Sequence, residues 1–204
     1  MTTLVYLLRH GATALNRLVP YRLQGRGSDP SLDPEGQDQA RRAAGALATL
    51  PITAVYTSPL ARAFETAAIV ALPHRLDPVA VPALIEADIG RWEGLTWTEA
   101  QAQDPDQHAR FHADPGATAY PDGESFLDVS RRVGPTLADL ADAHLGEQII
   151  VVGHNVVNRA YLATLLGLPI DLARSLRQSN GGINLIQYDG PSARVVTLNA
   201  TLHL

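Results

Sequence analysis

The sequence predicts an α/β fold, a three-layer α/β/α arrangement with a mostly parallel central sheet and helices on both faces. Three observations lead there. Short apolar runs bounded by turn residues alternate with longer stretches of helical period, the pattern of successive strand-helix units. Two of those runs, LVYLLRHGAT and IIVVGHNVV, share one layout, in which a buried strand delivers a histidine into the turn that follows. The chain has 204 residues, of which 46% are hydrophobic and 18% charged, enough to bury the core of one globular domain spanning 1–204.

The elements follow in order. Thr3–Leu8 is the first strand. Asp33-Pro34-Glu35 combines an N-cap with proline at the first helical position, and Ala40, Ala43, Ala44, Leu47 and Leu50 recur at helical spacing until Pro51. Thr53–Tyr56 is a second strand. Ser58-Pro59 repeats the cap-and-proline signal for a helix through Arg62 and Thr66 to about Val70, and Val79–Val81 is a third strand. Residues 87–122, rich in Asp, Pro, Gly and His, read as an insertion over one end of the sheet that covers the substrate site.

Glu124–Ala143 is a long amphipathic helix with Phe126, Val129, Val133, Leu137 and Leu140 on one side. Gln148–Val152 is a fully buried strand, His154-Asn155 its turn, and Val156–Leu166 a helix closed by Gly167 and Pro169. Ile183–Tyr188 and Arg194–Leu198 pair around the Asp189-Gly190 turn.

Composition excludes several chemistries. With no cysteine, thiolate phosphatases, thiol proteases, disulfide frameworks and cysteine-ligated zinc are all ruled out. All 16 basic residues are arginine, so there is no lysine for a Walker loop or a Schiff base. The net charge of −5 and the scattered positive residues give no footprint for nucleic acid or an anionic membrane. No apolar stretch is long enough to span a bilayer. MTTLVYLLRHG has no basic residue before its apolar run, so it reads as a strand rather than a secretory signal, and a cytoplasmic location is expected.

In an open parallel sheet the turns after the strands lie on the ligand-binding edge, so His10 and His154 can face one another. Arg62 lies in the first turn of its helix, beside unpaired backbone N–H groups, and Arg9 adjoins His10. Guanidinium forks match phosphate oxygens, and two arginines beside two histidines suit a phosphoryl group better than a cation. For Arg62 the competing reading is a surface ion pair with Glu65 or Glu35. His108 and His112 have zinc-protease spacing, but Ala109 stands where the glutamate is needed, and the pair reads as solvated surface.

At these residues the chain resembles the histidine phosphatase superfamily, in the branch that also contains cofactor-dependent phosphoglycerate mutases. RHG followed by Asn16, RLQGRGSDPSLDPEGQDQA at 22–40, TSPLARAFETA at 57–67, LIEADIGRWEGLT at 84–96, PDGES at 121–125 and VVGHN at 151–155 occur in the family's order. The resemblance implies that His10 is the residue phosphorylated and that Arg9, Arg62 and His154 complete the phosphate pocket. It implies Glu86 as the general acid, Asn16 and the backbone at Asn155 as secondary phosphate donors, and Arg22 and Gln24 at the substrate border. A metal-independent phosphomonoesterase follows, with no cofactor, a small-molecule phosphomonoester as its partner and room for a homodimer. Neighbouring positive groups would keep the His10 imidazole neutral and nucleophilic. Glu86 would first protonate the leaving oxygen and then activate water.

Two departures stand out. Many relatives follow the second histidine with two glycines, where this chain has Asn155-Val156-Val157. Asp88 and Glu93 lie close to Glu86; Glu93 could instead anchor the Gly90–Gly94 turn, and Asp88 could cap a loop. One rival reading is a phosphoglycerate mutase, against which the insertion offers only Arg91 and Arg110 as basic residues. A second is a non-catalytic phosphate-binding module. A serine hydrolase is rejected for want of a G-x-S-x-G elbow, leaving Ser125 as a helix cap or substrate-border residue.

Overall fold

A computed structural model describes residues 1–204. Six strands form one sheet: β1 (Thr2–Arg9), β2 (Ile52–Thr57), β3 (Val79–Ala80), β4 (Gln148–Gly153), β5 (Ile183–Asp189) and β6 (Ser192–Ala200), in the order β3-β2-β4-β1-β5-β6. The first four in that order are parallel, whereas β5 runs antiparallel to both β1 and β6. The last hairpin therefore extends the main sheet.

Side-chain alternation along β4 explains the two helical layers. Ile150 and Val152 point to the face covered by α1 (Pro34–Leu47) and α2 (Ala61–Ala71), where Leu8, Ala43, Leu47, Ala63, Ala67 and Val70 pack with them. Ile149 and Val151 point to the other face, toward Val129, Val133 and Leu137 of α5 (Phe126–Ala143) and Val157 and Ala160 of α6 (Asn155–Leu165). A strand buried on both faces reads as an unbroken apolar run, and IIVV does so.

The helix starts show what local sequence controls. Asp33 caps α1 by accepting from Gly36 N, with Pro34 at the first position. Ser125 caps α5 in a reciprocal box with Asp128, which assigns this serine to capping and starts the helix two residues after Glu124. Ser58-Pro59 does not open α2. Ser58 N still bonds Val152 O, and the helix begins at Ala61, whose N–H is met by the Asp29 carboxylate at 2.7 Å. The cap is tertiary, so no local motif announces it.

Segment 87–122 contains two helices, α3 (Trp97–Gln103), capped by Thr96 and Glu99, and α4 (Pro105–Ala113), capped by Asp104. The expectation of a solvated pair holds for exposure at His112 but not at His108, which is half-buried. Their rings pack on each other and against Trp97, next to Trp92 and Phe111, because α3 and α4 fold together around an aromatic cluster. No helix is long and apolar enough to cross a membrane.

Candidate active site

Adjacent parallel pairing brings the two histidines together. Arg9 is in register with Gly153, so β1 and β4 end side by side, and His10 and His154 follow at the same level. His10 N donates to Gly153 O, and the two rings meet edge to face with centroids 5.1 Å apart.

Two segments grip the turn after β1. Gly11 N donates to Thr66 Oγ1 of α2, Asn180 Nδ2 donates to His10 O, and Gly181 N bonds Arg9 O. Gly11 itself lies against α1, where a Cβ would stand 2.3 Å from Gly36 O. Only glycine permits that approach.

The His10 ring is buried, with Nδ1 2.7 Å from Gly11 O. A carbonyl can only accept, so Nδ1 carries the proton and the lone pair of the neutral ring is on Nε2. Burial, then the charges of Arg9 and Arg62, hold the His10 pKa well below its usual 6.5. His154 is also buried and held low, chiefly by burial and then by His10, Arg62 and Arg9; neither of its ring nitrogens has a hydrogen-bond partner.

Arg62, at the second position of α2, is 1% exposed, and its fork donates to Ser28 O and Gly25 O. Asp29 lies 3.6 Å away, and the competing reading, an ion pair with Glu65 or Glu35, does not occur; those carboxylates meet Leu32 N and Arg17. Burial lowers the Arg62 pKa, with Glu86 the first opposing influence. Glu93 anchors the loop that holds Arg62, accepting from Gly25 N, Gly27 N and Ser28 Oγ. It thus ties the Gly90–Gly94 turn, to which it belongs, to this loop. Asp88 does cap a loop, accepting from Gly90 N, and it pairs with Arg26.

Arg9 donates from Nη1 to Gln178 O, while its Nε and that of Arg62 are buried without partners. Burial lowers the Arg9 pKa to about 10, leaving it cationic at neutral pH. Glu86 comes from the loop before 87–122 and meets the start of α6: its oxygens accept from Val156 N at 3.2 Å and Val157 N at 3.3 Å. A carboxylate at a helix N-terminus satisfies otherwise unpaired donors.

Beside these groups lies a cavity of about 380 Å³, and Arg9, Gln24, Glu86 and Asn155 are among its lining. His10, Arg62 and His154 are buried and are not themselves part of the lining; their chain neighbours Arg9 and Asn155, and the influence of Glu86 on Arg62, connect them to it. Gln24 Nε2 and Asn155 Oδ1 are buried and unpartnered. Asn16 accepts from Thr13 N and donates to Gln24 Oε1, which ties it to the same wall. Arg22 corrects the expectation: it turns to Gly94 O and Glu99, away from the cavity, and Tyr21 takes the border position instead.

Arg159, Arg174, Trp97 and Tyr120 also line the cavity and were not singled out from sequence. Arg159 had a legible signal, since it lies four residues after Asn155 on one face of a helix. Arg174 arrives from the 3₁₀ turn Ile170–Ser175, and nothing local marks it.

The sequence profile of the histidine phosphatase superfamily, branch 1, matches residues 5–201. The chain belongs to the histidine phosphatase superfamily. Within it, phosphoserine phosphatase 1 of Hydrogenobacter thermophilus is 30% identical over 198 residues, covering 97% of this chain and 92% of that protein. The bifunctional protein Rv2228c of Mycobacterium tuberculosis is 43% identical over 153 residues, which are 74% of this chain; the match spans only 41% of that longer relative. Among solved structures, YhfR of Bacillus stearothermophilus superposes with a TM-score of 0.90 at 32% identity over 98% of both chains. The mixed six-stranded sheet is thus the phosphoglycerate mutase-like fold of the histidine phosphatases.

Proposed function

We propose that the protein is a metal-independent phosphomonoesterase working through a phosphohistidine on His10. The observation that carries this reading is the Nδ1 contact to Gly11 O, which leaves a neutral Nε2 among Arg9, Arg62 and His154. Nε2 attacks phosphorus in line, the P–N bond forms and the P–O bond to the leaving group breaks. Glu86, within the cavity lining, supplies the proton to the departing oxygen. Water then attacks the phosphohistidine, Glu86 takes a proton from it, and the P–N bond breaks to release inorganic phosphate.

In both steps the unpartnered Nε groups of Arg9 and Arg62 and the His154 ring serve the equatorial oxygens, the stabilisation a protein contributes most to phosphoryl transfer. Asn16, Gln24 and the Asn155 backbone complete the phosphate contacts. Segment 87–122 forms the substrate wall, to which Ile89, Trp97 and Tyr120 contribute. Hydrolysis is preferred over mutase chemistry because Arg91 is spent on Asp104 and Asp122, and Arg110 on Gln107.

The test is a phosphate-release panel of phosphomonoesters, together with trapping of a phosphoenzyme. Release that disappears in His10→Ala along with the trapped species is expected. Unchanged turnover in that variant would sink the mechanism, conversion of 3- to 2-phosphoglycerate without free phosphate would restore the mutase, and an inert wild type would favour a binding module.

A further inference from the structure

Several arginines outside the cavity lining are ion-paired: Arg22 with Glu99, Arg26 with Asp88, Arg91 with Asp104 and Asp122, and Arg132 with Glu124. Arg159 and Arg174 are different. Both line the cavity without an ion pair, and the proposed phosphate chemistry uses neither.

Each is nevertheless held in place. Arg159 Nε donates to Leu176 O at 2.7 Å, which fixes the plane of its guanidinium and leaves the two terminal nitrogens for another acceptor. The Arg174 guanidinium lies 5.3 Å from the Trp97 ring centroid and 5.7 Å from that of Phe111, with Nη1 3.5 Å from His112 Nδ1. Stacking on aromatic faces orients a cation without consuming its donors. Burial is the main cause of a lowered Arg159 pKa, a desolvation cost that a bound anion would offset. Glu86 is the one carboxylate in the lining, and its oxygens are engaged by Ala87, Val156 and Val157 N–H groups.

We propose that Arg159 and Arg174 form a subsite for a second oxyanion, a carboxylate or a phosphate, carried on the leaving group of the phosphomonoester. This rests on the phosphohydrolase reading above. With Arg9 serving the transferred phosphoryl group at the histidine side, the two further forks select what lies beyond it. A cavity of about 380 Å³ favours a small acid over a polymer. Tyr21, Trp97, Tyr120 and Phe126 then flank the short carbon skeleton between the two anionic ends.

The experiment compares kcat/KM for 3-phosphoglycerate, glycerol 1,3-bisphosphate and glycerol 1-phosphate, which differ in a carboxylate, a phosphate or a hydroxymethyl at the far end. The expected result is a preference of about tenfold or more for a substrate with a second anionic group, the scale of a charge-assisted hydrogen bond. Whichever anion leads identifies the source. Arg159→Gln and Arg174→Gln should bring the ratio toward one, mainly through KM; Arg174→Lys should keep part of it, and Arg177→Gln, at an exposed arginine outside the cavity lining, should keep all of it. Equal kcat/KM values in the wild type, or an unchanged ratio in both glutamine variants, overturn the subsite.

Calorimetric binding of the same three compounds to His10→Ala protein separates this inference from its parent. If no compound releases phosphate, the hydrolase reading fails. Tighter binding of the two compounds with a second anion then still supports the subsite, and equal affinities overturn it.

Discussion

The turns after β1 and β4 look alike in sequence, yet the protein treats them oppositely. The first is clamped: His10 has its tautomer set by Gly11 O, and its backbone is held by Gly153, Thr66, Asn180 and Gly181. The second leaves both nitrogens of His154 without a partner, although the ring is fully buried. A buried polar ring with no partner is costly and calls for an explanation in terms of what it binds. The contrast supports the roles proposed for them: a nucleophile benefits from one fixed orientation, whereas a ring that donates to a phosphate oxygen must keep a nitrogen available.

The strongest way to break that comparison is to exchange the two losses. His10→Ala should cost at least about 10³-fold in kcat and remove the trapped phosphoenzyme, because no other group supplies the attack. His154→Ala should cost about 10²-fold to 10³-fold, the scale of one lost oxyanion donor, while a phosphoenzyme still forms slowly. If His154→Ala alone abolished the phosphoenzyme, the two roles would have to be reversed.

A smaller effect is expected from the clamp. Thr66→Val deprives Gly11 N of its acceptor and Arg62 O of its donor, so denaturant unfolding should show a loss of about 1–3 kcal/mol. Because the same bond steadies His10, kcat should fall more than KM rises. An unaltered unfolding midpoint would mean that Gly11 finds another partner.

The acid response probes both turns together. Each histidine has a folded-state pKa depressed below the unfolded value of about 6.5, so the unfolded chain binds protons first as the pH falls. The stability contributed by keeping both rings neutral is fully present above about pH 6.5 and declines below it, with a limiting slope of about 1.4 kcal/mol per pH unit for each ring. His154→Asn should reduce that slope. Over the same interval kcat/KM should show no histidine ionisation near 6.5, since His10 is already neutral; a clear acid limb centred there would place the nucleophile in a more exposed setting.

Much of the site is legible in the sequence because its parts sit at strand ends and helix starts. Arg9, His10 and His154 follow apolar runs whose burial made the following turns conspicuous, and Arg62 followed a proline-marked helix start, although the true cap was Asp29. Arg22 was misplaced by motif alone, since the choice between facing the cavity and pairing with Glu99 is made by α3 packing against it. Glu93 was legible as an anchor, but its target, the loop that carries the carbonyls for Arg62, was not.

By itself, then, the sequence determined the alternation of strands and helices, the two histidine turns and the arginine-only basic chemistry, because periodicity, capping and composition are local. The tertiary structure decided that β5 lies antiparallel beside β1, that Glu86 closes the start of α6, and that Arg159 and Arg174 reach one cavity. Those relations join residues far apart in the chain, and only packing settles which buried donors and charges find partners and which are left for a substrate.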